Sequence, residues 1–314
     1  MLDKPIFVLG SFVLACTAKV DRFPQPGESM AAQRVTIEPG GKGLNQAMMA
    51  RRLGASVDGL LAVGDDLAAR FALPALERAD LPKTMLLPIG GESGSGIGFI
   101  DAEGETCLAI APNANLALSA AHVRARTEAI EGAALVTAQY EIADAPIREA
   151  FALARRAGVP TLLNPSPFRA ISREILGTTS ILIVNETEAR SLAATLGLSA
   201  EAAATPNGFA AELAPAIRAR GPRCVVLTRG AAGAVAAAAD EVAEQPGFAV
   251  ATTDSLGAGD AFAATFGVRM AQRLPLSIAL REAAAAGALT TTRPGVFEAL
   301  PRADEIAAMI ASPH

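Results

Sequence analysis

Short runs of apolar and β-branched residues alternate along this chain with longer stretches rich in alanine and leucine. The short runs fit buried strands, and the longer stretches have the spacing of amphipathic helices. Regular alternation of the two favours a parallel sheet with helices on both faces, because each parallel connection needs a crossover. The pattern therefore predicts a doubly wound α/β fold. Its strands are predicted at residues 6–9, 57–61, 134–137, 161–163, 180–184 and 223–227, and its helices near residues 44–53, 67–79, 120–130, 147–157, 186–196 and 209–219.

Two segments, residues 12–38 and 96–111, depart from this alternation. The second has apolar runs on both sides of a turn at residues 101–104, which is typical of a β-hairpin. The first lacks helical periodicity. Together the two segments form either a small sheet that stands off the main domain as a lid, or an extension at the edge of the main sheet.

Composition limits the size of the core and the kinds of partner. The chain has 314 residues, of which 51% are hydrophobic and 19% charged, enough to bury the core of one large domain. Its net charge is −5, and its Lys and Arg residues are scattered rather than clustered. A nucleic-acid partner is therefore not expected, and any anionic ligand must be small and held locally.

Cysteine usage and the apolar runs indicate the compartment. Cys16, Cys107 and Cys224 are an odd number at spacings that match no zinc motif, which favours reduced thiols over a disulfide or metal role. No apolar run is long enough to cross a bilayer, and no basic segment precedes the first apolar run. We expect a soluble, cytoplasmic protein without a membrane partner.

Residues 254–262 read Asp-Ser-Leu-Gly-Ala-Gly-Asp-Ala-Phe and carry the strongest chemical signal. The turn Gly257-Ala258-Gly259 allows close approach of the backbone to a ligand and directs N–H groups at an anion. Asp260 follows this turn, and an apolar run without helix breakers follows Asp260. The segment therefore fits a phosphoryl group held beside a base at a helix N-terminus. A helix end capped only for stability fits it as well.

A second glycine-rich loop, residues 39–45, reads Pro-Gly-Gly-Lys-Gly-Leu-Asn and precedes a predicted helix. Its spacing is not that of a Walker A loop. The loop either brings Lys42 and Asn45 to a polar ligand or is an ordinary turn, with Lys42 solvated and Asn45 on an exposed face.

A third element, Asn185-Glu186-Thr187-Glu188, directly follows a predicted strand. It therefore lies at the carboxyl end of the sheet, where open α/β folds bind ligands. Asn185 and Glu188 also have the spacing of a capping box, so capping of the next helix is the alternative.

These elements occur in one order with several others, and that order resembles the ribokinase-like (PfkB) family of carbohydrate kinases over nearly the whole chain. The motifs that carry the resemblance are Gly10-Ser11, residues 23–28 (Phe-Pro-Gln-Pro-Gly-Glu), residues 40–45, residues 63–66 (Val-Gly-Asp-Asp), residues 164–167 (Asn-Pro-Ser-Pro), residues 185–188, residues 227–233 (Leu-Thr-Arg-Gly-Ala-Ala-Gly) and residues 254–262.

The resemblance implies a single domain over residues 1–314, with a Rossmann-like central sheet flanked by helices. A small β-sheet lid is implied at approximately residues 12–38 and 96–111, with the remainder as the nucleotide-binding core. In this family the lid often serves in dimerisation, so a homodimer through the lid sheet is expected.

The resemblance further implies transfer of the γ-phosphoryl group of ATP to a hydroxyl of a small sugar or sugar derivative. Asp260 matches the family's general base. The other matched residues are Gly257, Ala258 and Gly259 for the anion hole, Asn185, Thr228 and Gly230 for the nucleotide, Glu188 for Mg²⁺ through water, Gly41, Lys42, Asn45 and Glu141 for the substrate, and Asp254, Leu256, Thr290, Arg293 and Gly295 for the K⁺ that activates many members.

The first motif departs from the family. Sugar kinases of this kind usually read Gly-Ser-x-Asn-x-Asp, whereas this chain has Val13 and Ala15 at the two polar positions. A hydroxyl buried without a partner costs roughly 1–3 kcal/mol, so the substrate is expected to be less hydroxylated than ribose on that side. A kinase of a nucleoside or hydroxymethyl heterocycle is the alternative. A non-catalytic ligand-binding protein is disfavoured, because a pure binder needs no base.

Overall fold

The fold follows from a computed structural model that describes residues 2–312. Its strands are β1 (Ile6–Ser11), β2 (Val13–Lys19), β3 (Arg34–Gly40), β4 (Val57–Val63), β5 (Leu86–Pro88), β6 (Gly94–Ile100), β7 (Thr106–Ala111), β8 (Leu135–Gln139), β9 (Thr161–Asn164), β10 (Ile181–Asn185), β11 (Cys224–Thr228), β12 (Ala234–Ala237) and β13 (Val242–Gln245).

The α-helices of the described chain lie between these strands and after the last of them. They are α1 (Lys42–Arg52), α2 (Ala72–Arg78), α3 (Ala114–Ala117), α4 (Ala120–Arg124), α5 (Thr127–Glu131), α6 (Asp144–Arg156), α7 (Arg173–Thr178), α8 (Glu186–Thr195), α9 (Glu201–Ala204), α10 (Pro206–Gly208), α11 (Ala214–Arg218), α12 (Ala258–Ala271), α13 (Leu276–Thr291) and α14 (Ala303–Ala311). None of the helices within residues 2–312 is long and apolar enough to cross a bilayer.

The large sheet has the strand order β13-β12-β11-β10-β9-β8-β1-β4-β5. All neighbours from β5 to β11 pair in parallel, and β12 and β13 add an antiparallel edge. The chain leaves β1 towards β4 on one side and later returns to β8 on the other side. This reversal of strand order opens a crevice at the carboxyl ends of the strands, where such sheets bind ligands. The predicted α/β class is confirmed.

Both faces of the large sheet are covered, because its strands direct successive side chains to opposite sides. Val8 belongs to the apolar cluster that α1 and α12 form on one face, with Leu44 and Phe266. Phe7, one residue earlier, belongs to the cluster on the other face, where Phe151 of α6 packs. A core on each side of the sheet holds the carboxyl ends of the strands in fixed positions.

The small sheet is separate from the large one and has the order β3-β2-β6-β7. It begins directly after β1, at the carboxyl edge of the large sheet, and β6 and β7 form the predicted hairpin. The edge-extension alternative for these segments is therefore wrong. At the hairpin turn, the Asp101 carboxylate accepts a hydrogen bond of 2.8 Å from the Glu105 N–H.

Strand register gives the small sheet two faces. One row across the strands contains Ile37, Cys16 and Ile97, and the next row contains Glu38, Ala15 and Ile110. Since neighbouring residues of a strand point in opposite directions, these rows lie on opposite faces. We call the face of Ile37 the outer face and the face of Glu38 the inner face.

The prediction of one helix near residues 120–130 is wrong, because α4 and α5 are separate. Arg126 lies between them with non-helical dihedral angles, φ −115° and ψ 22°. Its guanidinium group donates two hydrogen bonds of 2.7 and 2.6 Å to the carboxylate of Asp58, which lies on β4. This tertiary ion pair breaks the helix at a position where the local sequence favours its continuation.

Two other predicted helices are irregular near a proline. Residues 209–219 form a π-helical turn, Phe209–Leu213, before α11, and residues 67–79 form a 3₁₀ turn, Ala68–Phe71, before α2. Pro215 lies in α11 and Pro74 in α2. Because proline has no N–H to donate to the turn before it, the hydrogen-bond pattern changes there.

Candidate active site

The N-terminus of α12 lies at the carboxyl edge of the large sheet and begins with a glycine turn. Gly257 precedes the helix in the left-handed conformation, with φ 76°. A Cβ atom on Gly257 would lie 2.9 Å from Cγ1 of Val296, whereas a Cβ on Gly259 would meet no atom within 4 Å. The backbone is therefore packed at Gly257 and open at Gly259. The first N–H groups of a helix lack intrahelical partners, so this end is suited to an anion.

Asp260 lies in the first turn of α12 and is only 3% exposed. Its Oδ2 accepts a hydrogen bond of 2.8 Å from the side-chain amide of Asn45, which belongs to α1. Its Oδ1 accepts no hydrogen bond from the residues that the structure describes, and it lies 3.9 Å from Nζ of Lys42. One carboxylate oxygen is thus fixed, and the other remains available to a proton donor.

Lys42 is the positive centre of this region. Asp260 raises the pKa of the Lys42 ammonium group above its usual value, and Glu141 and Glu188 act in the same direction, against the opposite effect of burial. These carboxylates come from α12, from the chain after β8 and from α8, so three separate elements surround one cation. Lys42 therefore stays protonated at neutral and moderately alkaline pH.

The loop before α1 is held against the end of β1. The Glu141 carboxylate accepts hydrogen bonds from the Lys42 N–H, at 2.9 Å, and from the Ser11 hydroxyl. A Cβ atom on Gly43 would lie 2.3 Å from the Ser11 nitrogen, so only glycine permits this approach. Asn45 is 5% exposed, and its placement on an exposed face, the alternative considered from the sequence, is therefore wrong.

The element at the end of β10 forms the capping box that its spacing predicts. The Asn185 side chain accepts a hydrogen bond of 2.9 Å from the Glu188 N–H, and the Glu188 carboxylate accepts one of 2.9 Å from the Asn185 N–H. Glu188 is also 3% exposed, and burial raises its pKa. Its charge acts on Lys42, so capping and proximity to the site occur together.

A cavity of about 590 Å³ extends from the N-terminus of α12. It brings together four of the predicted residues, Thr228, Gly230, Ala258 and Gly259. The small side chains of α13 that line it, Ala284, Gly287 and Ala288, were not predicted from the sequence. An alanine-rich helix gives no chemical signal, so this part of the site could not have been found from the residue types.

Of the five residues predicted to bind K⁺, hydrogen bonds join three, Asp254, Leu256 and Gly295. Asp254 is 2% exposed, and its two carboxylate oxygens accept hydrogen bonds of 2.9 Å from the Leu256 N–H and 3.0 Å from the Gly295 N–H. The Thr290 hydroxyl donates within α13 to the Ala286 carbonyl, and the Arg293 side chain pairs with Glu305. Thr290 and Arg293 could therefore contribute to such a site only through backbone oxygens.

Two further residues near the site were missed. Asn115 is fully buried; its side chain accepts a hydrogen bond of 3.0 Å from the Phe12 N–H and donates one of 2.8 Å to the Phe12 carbonyl, so it fixes the first motif. Glu38 binds the loop after α13, where its carboxylate accepts a hydrogen bond of 3.0 Å from the Val296 N–H. Their partners are distant in sequence, and no local pattern identifies them.

Comparison with known proteins agrees with this geometry. The model of the pfkB family carbohydrate kinases matches residues 3–303. The chain belongs to the pfkB family. The prediction of a phosphotransferase with an alcohol group as acceptor is confirmed at the level of this family.

Three proteins illustrate the similarity and match over almost their full lengths. Ribokinase of Haemophilus influenzae is 29% identical over 306 residues, 97% of this chain and 97% of that protein. Deoxyribokinase of Salmonella typhimurium is 27% identical over 303 residues, 96% of each chain. The structure of Arabidopsis thaliana ribokinase, complexed with ribose and ATP, superposes with a TM-score of 0.87 at 24% identity, covering 99% of this chain and 100% of that one.

The two glycines of the α12 turn give a matched pair of variants. Gly257→Ala should lower the free energy of unfolding by about 1–2 kcal/mol or more, because alanine is strained at positive φ and its Cβ meets Val296. Gly259→Ala should leave the stability of the ligand-free protein nearly unchanged, because its Cβ meets open space. Urea unfolding without nucleotide measures both, and equal stability losses would contradict the packed turn.

Proposed function

We propose that the protein is an ATP-dependent kinase that transfers the γ-phosphoryl group to a hydroxyl of a small sugar or sugar derivative. The observation that carries this proposal is the position of Asp260. It is buried at the N-terminus of α12, with one oxygen held by Asn45 and the other free of hydrogen bonds within residues 2–312. Its Oδ1 lies 3.9 Å from Nζ of Lys42, and the preceding residue, Gly259, lines the cavity.

In the proposed reaction, the substrate hydroxyl oxygen attacks the γ-phosphorus of ATP while Oδ1 of Asp260 accepts its proton; the bond from the γ-phosphorus to the bridging oxygen breaks, and ADP leaves. General-base assistance of this kind contributes roughly 10²–10⁴-fold to the rate. The N–H groups of Gly257, Ala258 and Gly259 stabilise the charge on the transferred group, and Lys42 adds a fixed positive charge beside it. No covalent enzyme intermediate is needed.

We place the nucleotide and its metal ion at the carboxyl ends of β10 and β11. We assign the phosphates to Asn185, Thr228 and Gly230, and the cavity of about 590 Å³ has room for the rest of ATP. Glu188, a buried carboxylate near Lys42, is the residue that would hold hydrated Mg²⁺. Bound Mg²⁺ supplies charge neutralisation at the phosphates.

We also propose K⁺ activation through the Asp254 region. A carboxylate next to a turn of backbone oxygens is a donor set for a hard cation, and Asp254 already joins the segments of Leu256 and Gly295. Thr290 and Arg293 flank the end of α13, where the Thr291 carbonyl accepts a hydrogen bond of 3.2 Å from the Asp254 N–H.

The acceptor is proposed to lie between Asp260 and the inner face of the small sheet, with Gly41, Lys42, Asn45 and Glu141 around it. Val13, Ala15 and Ile110 form an apolar part of that inner face, beside Glu38. An apolar wall favours a sugar with fewer hydroxyls than ribose on that side, or a nucleoside or hydroxymethyl heterocycle as the second candidate. The named activity of the deoxyribokinase relative agrees with the first of these.

We propose that the small sheet, approximately residues 12–38 and 96–111, is a lid on the core and that its outer face forms a homodimer. Val35, Ile37 and Ile97 on this face are 58%, 57% and 63% exposed. Apolar side chains exposed in one continuous face mark an interaction surface. The thiols of Cys16, Cys107 and Cys224 are free in the described chain, which suits a cytoplasmic enzyme.

Asp260→Asn should reduce turnover by at least about 10²-fold, because the amide cannot accept the proton, while ATP binding is retained. A coupled ADP-release assay and calorimetric titration with ATP measure the two quantities on a panel of sugars, nucleosides and hydroxymethyl heterocycles. Running the panel in KCl and in NaCl tests the proposed cation. Turnover retained in Asp260→Asn would remove Asp260 from the role of base, and a wild-type protein inactive on the whole panel would contradict the proposed function.

Specificity for the phosphoryl acceptor can be tested at Val13 and Ala15 on the inner face. Val13→Asn with Ala15→Asn should raise kcat/KM for ribose by about tenfold or more, because each new hydrogen bond to a desolvated hydroxyl is worth roughly 0.5–1.5 kcal/mol. Asparagine at position 15 is preferred to aspartate because Glu38 lies directly opposite on β3, and facing like charges are destabilising. An unchanged kcat/KM for ribose would show that specificity is set elsewhere.

The proposed dimer is tested by charge on the outer face. Ile37→Lys with Ile97→Lys should convert the dimer to a monomer, because two buried ammonium groups in each subunit would lack partners. Leu67→Lys is the control, since Leu67 is 69% exposed but lies outside the small sheet. Sedimentation velocity measures the masses; a monomeric wild type, or a dimer that survives the double substitution, would refute the interface.

A further inference from the structure

Glu38 joins the small sheet to the loop between α13 and α14. It lies on the inner face of β3, in register with Ala15 of β2. Its carboxylate accepts a hydrogen bond of 3.0 Å from the Val296 N–H, and the Phe297 N–H also donates to it. Glu38 and Val296 are 258 residues apart in the chain, so the contact is entirely tertiary.

The same loop is held by a second carboxylate. The Gly295 N–H donates to Asp254, and the next N–H, of Val296, donates to Glu38. A Cβ atom on Gly295 would lie 2.8 Å from Glu38 Oε1, so the carboxylate packs closely on the turn. Burial, and to a smaller extent the nearby charge of Asp254, raise the pKa of Glu38; the amide hydrogen bonds and the charge of Arg34 oppose this effect only in part.

The same loop packs against the glycine turn of α12. Cγ1 of Val296 lies 2.9 Å from the place where a Cβ of Gly257 would be. On its other side the loop is anchored to α1, because Arg52 donates hydrogen bonds to the carbonyls of Phe297, at 2.7 Å, and Leu300. Between the anchor at Gly295 and the anchor at Phe297, the N–H of Val296 itself is held by Glu38.

We propose that Glu38 is a positioning residue: by holding the Val296 N–H it sets the wall against which the Gly257 turn packs, and so couples the small sheet to the N-terminus of α12. The consequence for catalysis rests on the proposed kinase function. The structural coupling does not depend on it and can be measured separately.

Two substitutions at Glu38 separate the hydrogen bond from the charge. Glu38→Ala removes the acceptor, whereas Glu38→Gln keeps an acceptor oxygen without the charge. Glu28→Gln is the matched control, because Glu28 is a carboxylate of the β2–β3 connection whose ion pair with Arg22 is exposed. Hydrogen exchange of the ligand-free proteins, followed by mass spectrometry, reports the loop at residues 292–300 and the turn at residues 254–260.

We expect Glu38→Ala to accelerate exchange in both segments by about tenfold or more, the size expected for loss of a hydrogen bond to a charged group, with most other peptides unchanged. Glu38→Gln should restore slow exchange in large part, and Glu28→Gln should behave as wild type. Unchanged exchange in both segments, a change confined to the loop, or equal acceleration throughout the protein would each overturn the proposal.

Kinetic measurements then test the consequence for the reaction. Glu38→Ala should lower kcat by about tenfold with a smaller change in KM for the acceptor, because the displaced turn affects charge stabilisation more than substrate binding, and Glu38→Gln should recover most of it. A changed KM at unchanged kcat would overturn the positioning role. If the wild type has no kinase activity, the proposed function fails, while the exchange experiment still decides whether Glu38 couples the two segments.

Discussion

The N-terminal turns of α1 and α12 meet at the carboxyl edge of the large sheet, where Asn45 and Lys42 face Asp260. This contact joins residues 215 positions apart, and it holds only because both helices pack on the same face of the sheet. Close approach of α1 to the end of β1 depends on Gly43, where no side chain fits. Without that approach, neither Lys42 nor Asn45 would reach Asp260.

More acidic than basic side chains lie around this contact. The Lys42 ammonium group lies 3.9 Å from the Asp260 carboxylate, and Glu141 and Glu188 also act on its charge, so one basic group faces three acidic groups in a partly desolvated region. Buried charges are costly unless they are paired or hydrogen-bonded. Amide hydrogen bonds to Glu141 and Glu188 offset part of the cost, and the remaining imbalance is suited to a ligand that brings its own cation. A nucleotide with a divalent metal ion is such a ligand.

The α/β class could be predicted because a buried parallel strand and an amphipathic helix each have a local pattern. The prediction failed where one distant contact opposed that pattern. Arg126 leaves the helix to pair with Asp58, and no feature of residues 120–130 shows that this partner is near. The Ala-rich surface of α13 around Gly287 is a similar case, since it becomes part of a cavity wall only through the packing of α13 against α12.

The sequence by itself determined the alternation of strands and helices, the two glycine-rich turns and the residue types that point to phosphoryl transfer. These depend on backbone freedom and on spacing over a few residues. Only the tertiary structure decided that Lys42 has three carboxylates around it, and that Glu38 reaches Val296 rather than solvent. The physical reason is that burial and charge interactions depend on distances through space, which the register and layering of the two sheets set.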